Sequence, residues 1–86
     1  MGTYVYKYIY RVDTADHRYV AIHDHAEASI GDLVVMDNGI MGTVNRVVMM
    51  DVNSQDYALL TDFVEVRGIV EIYHHWWSKS SESEET

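Results

Sequence analysis

The sequence predicts an all-β protein, a single small five-stranded barrel, with a segment before the last strand that reads either as a short helical turn or as irregular chain. Three observations carry this. Residues 3–12 and 64–73 alternate with period two, the repeat of a strand with one face inward. Turn-forming clusters punctuate the chain at short intervals. Valine and tyrosine, both strand formers, supply much of the 48% hydrophobic content.

The elements follow in order. Tyr4, Tyr6, Tyr8, Tyr10 and Val12 share one face of the first strand, and Val5, Lys7, Ile9 and Arg11 the other. Asp13-Thr14-Ala15-Asp16 is a turn, and Arg18 to His23 is a second strand. His25 to Ser29 is a connection. Gly31-Asp32 turns the chain into a strand from Leu33 to Met36. Asn38-Gly39 predicts a hairpin with a type I′ turn, because these residues accept positive φ. In the strand that follows, alternation places Val44, Arg46, Val48 and Met50 on one face and Val47 and Met49 on the other. Gly42 marks a bulge or a close backbone approach. Tyr57 to Phe63 is ambiguous; one reading is a short helical turn capped by Ser54, with Leu59, Leu60 and Phe63 pointing inward. In the last strand Val64, Val66, Val70 and Ile72 face one side; Glu65, Arg67, Ile69, Glu71 and Tyr73 face the other. Closure into a barrel protects edges rich in valine and tyrosine from aggregation.

Residues 1–77 form the domain, and the polar, acidic segment 78–86 reads as a disordered tail. With 86 residues and no cysteine, apolar packing must supply the stability. No apolar run of 18 residues is present to span a membrane, and the N-terminus lacks a signal-peptide layout. A cytoplasmic protein is the expectation.

The formal charge is −8. Lys79 against Glu82, Glu84 and Glu85 makes the tail −2, which leaves −6 on the domain. Such a surface repels nucleic-acid phosphates and anionic lipid, so direct nucleic-acid or membrane binding is not expected. A basic protein partner is.

The stretch Ile30-Gly31-Asp32-Leu33-Val34-Val35-Met36-Asp37-Asn38-Gly39-Ile40-Met41-Gly42-Thr43-Val44-Asn45-Arg46-Val47 resembles the core of SH3-like barrels of the KOW and Tudor kind. There a Gly-Asp opens a strand, a glycine turn follows, and Gly-x-Val begins the next strand. The resemblance implies a small five-stranded SH3-like barrel and a binding module. KOW domains contact RNA or polymerase through basic residues; here Arg46 is the one basic residue of the stretch, so RNA binding does not carry over. The short length and strong acidity also resemble small phage or prophage proteins.

Catalytic motifs are absent. There is no cysteine nucleophile, no Gly-x-Ser-x-Gly elbow, no Walker loop and no Gly-x-Gly-x-x-Gly. No enzyme activity and no cofactor are expected. His23-x-His25 places two rings on one side of an extended segment, the minimal pattern for a metal pair; scattered surface histidine is the ordinary reading. The same histidines support a pH-sensing alternative.

The expected partner-binding residues are the aromatics Tyr4, Tyr6, Tyr8, Tyr10, Tyr73, Trp76 and Trp77, with the acids Asp13, Asp16, Asp24, Glu27, Glu65 and Glu71. Asp37, Asp51, Asp56 and Asp62 extend the acidic set. Tyrosine and tryptophan give large contact area at low entropy cost, and at least two of the strand-one tyrosines are expected outside. These residues predict a protein–protein interaction module. In its sharper form it is a phage or mobile-element inhibitor whose carboxylates imitate phosphates in the groove of a nucleic-acid-binding host enzyme, as DNA mimics and anti-CRISPR proteins do. Acidity that serves solubility alone is the plain alternative. A self-associating structural subunit, pairing through the tyrosine face and the free edge of strand one, is the other.

Overall fold

A computed structural model describes residues 4–75. Strands β1 (Tyr6–Asp13), β2 (Arg18–His23), β3 (Leu33–Met36), β4 (Met41–Asp51) and β5 (Val66–Tyr73) close into a five-stranded barrel in the order β1-β2-β5-β3-β4. Helix α1 (Gln55–Phe63) precedes the last strand, the helical one of the two readings. Every pairing is antiparallel except β2 with β5. A parallel pair needs a long crossover, and the whole β3-β4-α1 segment supplies it. Among the described residues, no helix is long and apolar enough to cross a membrane.

The tyrosine face of β1 is the inner face. Tyr10 and Val12 are fully buried with Ala21, Val34, Met36 and Val44, and Tyr8, Tyr19, Val47, Ile69 and Ile72 pack against them. Tyr10 at 0% exposure therefore corrects its assignment as a partner-binding residue. Its phenol survives burial by donating to the His25 carbonyl at 3.2 Å. Burial pushes its pKa up. Tyr4 and Tyr6, before the strand turns fully into the barrel, are exposed.

Two bulges overturn simple alternation. Val12 pairs with Val44 but Arg11 pairs with Arg46, so Asn45 is an extra residue in β4. Val44 and Val47 both turn inward, and Arg46, Val48 and Met50 turn out. In β5, Ile72 sits opposite Val34 and Ile69 opposite Met36, again with one residue to spare. Ile69 and Ile72 thus share the core although alternation separates them.

The 36–40 hairpin also departs from expectation. Only Gly39 takes positive φ, at 84°. Gly39 N–H donates to Met36 O and Met36 N–H to Ile40 O, the pattern of a type I turn followed by a left-handed glycine. Asn38 stays at negative φ, and its side-chain oxygen accepts from Ile40 N–H. Asp37 is tied to β5 on both sides: its N–H donates to Gly68 O and its carboxylate accepts from Gly68 N–H.

Ser54 caps α1, accepting from Tyr57 N–H at 3.1 Å. The inward placement of Leu59 and Phe63 is corrected. The helix buries none of its residues, and Phe63 is 80% exposed. The barrel closes without α1, so the helix lies across its outside. Phe63→Ala is therefore expected to change stability by less than about 0.5 kcal/mol. Urea denaturation checks it, and a loss near that of a core truncation would contradict this packing.

From Tyr8 to Asp13, β1 is paired on both sides. β2 pairs with it from Tyr8 to Asp13 and β4 from Tyr6 to Asp13. That stretch offers no edge for strand addition; only Tyr6 and Lys7 are unpaired on the β2 side.

Candidate functional site

The expected acids separate into several settings. Asp13 closes the β1–β2 turn, where Asn45 and Arg18 bond its carboxylate. These bonds, the Asn45 one foremost, hold its pKa below the usual carboxylate value. Asp24 is tied to Lys7, which lowers the acid's pKa and raises the amine's. Asp37 and Glu65 share Arg67. Asp16, Asp56 and Asp62 are exposed and make no ion pair among the described residues. Asp51 accepts from Asn53 N–H at the entrance to α1.

Glu27 and Glu71 do converge. They line a cleft of about 430 Å³ with His23, His74, Ile69, Val70 and Ile72. β2 delivers His23 at its last position, the following loop delivers Glu27, and β5 delivers Glu71. His23 Nε2 lies 3.3 Å from Glu27 Oε1. Tyr73 sits two residues from Glu71, and the carboxylate beside it raises the phenol's pKa. Glu71 makes no ion pair among the described residues. Exposed Val70 carbon beside two carboxylates suits an alkyl stem with a cationic head, as in lysine or arginine.

Beside the cleft, Asp32 is a buried acid that the sequence reading treated only as a turn residue. It is 3% exposed. It accepts from Ser29 N–H at 2.8 Å and His75 N–H at 2.6 Å, and pairs with His74 Nδ1 at 3.0 Å. Burial pushes its pKa up, but these bonds outweigh burial and the net shift is down. Asp32 thereby fixes His74 at the cleft wall. The Gly31-Asp32 pair was the available signal: Gly31 takes φ +97°, which opens the turn and lets the His75 ring lie against it.

Among the aromatics, the Tyr4 and Tyr6 rings stack with centroids 6.4 Å apart. They are 72% and 42% exposed. Tyr8 is half-buried, and Tyr73 is exposed beside Glu71. Trp76 and Trp77 lie outside the described residues, as does the 78–86 tail. His23 and His25 are neighbours, with ring centroids 6.0 Å apart. Among the described residues, no three His, Cys, Asp or Glu side chains converge as a metal site.

Comparison with protein-family models, with curated proteins and with solved structures finds no significant match for this chain.

Proposed function

We propose that this protein is a non-catalytic protein-interaction module of the cytoplasm, and that it takes a basic side chain of its partner into the Glu27–Glu71 cleft. The observation that carries this is the cleft itself: Glu27 and Glu71 line it together with exposed Val70. Val70 is 64% exposed, an apolar surface that a lysine or arginine stem would cover. The likeness of residues 30–47 to SH3-like KOW and Tudor barrels supports a binding role. The sharper form of the reading is an inhibitor from a phage or mobile element that occupies the phosphate groove of a nucleic-acid-binding enzyme. The exposed, ion-pair-free Asp16, Asp56 and Asp62 support that form.

An arginine-rich peptide is the direct probe. It should bind with an affinity that falls as salt rises. Glu27→Lys with Glu71→Lys should weaken it by about tenfold or more, an estimate for close charge pairs at a partly desolvated site. Asp56→Lys with Asp62→Lys makes the same charge change away from the cleft. Equal losses from both pairs would mean that net charge, and not the cleft, recruits the peptide. Capture of a nucleic-acid-binding protein that releases when DNA is added would support the groove form.

A further inference from the structure

A second depression lies on the outer face of the barrel and is built with the opposite charge. Ile9 and Arg11 of β1 face outward beside Val48 and Arg46 of β4, their ladder partners. Val20 of β2 adjoins Arg11. Leu60 of α1 overhangs this sheet. Ile9, Val20, Val48, Met50 and Leu60 make carbon walls around about 320 Å³, and Arg11 and Arg46 line the same space.

Two features set this cleft apart. The seam between helix and sheet is only partly filled: Ile9 is buried at its base, but α1 buries none of its residues, and Val20, Val48, Met50 and Leu60 are each only half-buried. The two arginines are also placed against their own interest. They stand directly opposite on neighbouring strands, where like charges destabilise a sheet. Lys7, Arg18 and Arg67 all have carboxylate partners. Arg11 and Arg46 make no ion pair or hydrogen bond among the described residues, although the chain carries −8. Asp13 is influenced by Arg11 only through space.

We propose that this cleft binds a small amphipathic anion, a single medium-length acyl chain ending in a carboxylate. The chain lies along Ile9, Val48, Met50 and Leu60, and the head is held between Arg11 and Arg46. Paired guanidinium forks match a carboxylate, and an anion there relieves their mutual repulsion. From Arg46 to Met50 the strand runs about 13 Å, the reach of one extended chain of that class. The volume is at the lower end of the roughly 300–1,000 Å³ of small-molecule sites, room for one chain and not for a diacyl lipid. This site is independent of the acidic cleft.

Decanoate, titrated below its micellar concentration into the full chain, is the test. Calorimetry should show saturable one-to-one binding, and NMR should move the methyl signals of Ile9, Val48, Met50 and Leu60. Octanoate should bind roughly tenfold more weakly, as expected for two fewer buried methylenes. Arg11→Gln with Arg46→Gln should weaken decanoate by roughly tenfold, and decanol should be indifferent to that change. Val48→Trp, which fills the cleft and keeps both charges, should abolish binding. Glu27→Lys should leave it intact. The proposal is overturned by non-saturating binding, by shifts at other residues, or by undiminished affinity in both arginine and tryptophan variants. An acidic peptide that binds these residues while decanoate does not would also overturn it.

Discussion

Replacing Gly42 with alanine is expected to cost about 3 kcal/mol of folding stability, near the upper end of what overpacking does in a tight core. A Cβ at this position would stand 2.5 Å from Val12 Cγ1, 2.7 Å from Asp13 O and 3.1 Å from Thr14 Cγ2. None of these yields easily. Val12 is fully buried, so its methyl has nowhere to swing. The Asp13 carbonyl is backbone, in the strand that pairs β4 at Thr43. Relief therefore means separating β1 from β4 and opening the barrel seam. Urea denaturation measures the loss. Val12→Ala in the same chain deletes the methyl that clashes, so the double variant should be less destabilised than the sum of the two single changes. Strict additivity would show that the close approach is not the cause. Gly39 is the contrast: nothing lies within 4 Å of its would-be Cβ, and its φ of 84° alone makes alanine unfavourable. Gly39→Ala should cost only about 1–2 kcal/mol, the left-handed penalty.

Asp32→Ala is expected to cost a comparable amount, on the order of 3 kcal/mol. The carboxylate satisfies two backbone N–H groups, of Ser29 and His75, and the His74 ring. Removing it strands those donors in a part-buried site and frees the segment after β5 from the 29–32 turn. The same group makes stability depend on acid. Its pKa is depressed below 3.8 in the folded protein, because its hydrogen bonds outweigh the burial that opposes them. As pH falls, the unfolded chain takes up the proton first. The contribution is therefore complete above about pH 5 and drains away as pH drops through the folded-state value, below about 4. Asp32→Asn removes this titration. Its denaturation midpoint should be lower at neutral pH, and the gap to the parent chain should narrow on acidification. Asp13 and Asp24, also held low, keep titrating in both proteins, so the difference between the two curves isolates Asp32. A gap that widens in acid would contradict the assignment.

Part of the site was legible in the residues. Glu27, Glu71 and Tyr73 are expected partner-binding residues, and they meet at or beside one cleft; His23, ordinary surface histidine by the sequence, joins them there. Asp13 and Asp24 are among the expected contact acids, but Arg18, Asn45 and Lys7 already engage them. Those partners lie 5, 32 and 17 residues away in the chain, and only strand pairing brings the two distant ones into reach. Tyr10 was misread because alternation says which residues share a face, not which face is inside. The Arg11–Arg46 pair was invisible for a similar reason. Counting by twos along β4 puts Val44 with Arg46 on one face, and the extra residue at Asn45 separates them.

Period two and the turn clusters were enough to specify five strands and their order, because these depend on neighbours in the chain; that the Ser54-capped segment is the helix α1 came from the structure. The parallel β2–β5 pairing, the two bulges, the burial of Asp32 and the partly filled seam beneath α1 were decided by closure. A barrel must satisfy every strand edge at once, and its register is set by contacts between residues far apart in sequence. No local pattern encodes that sum.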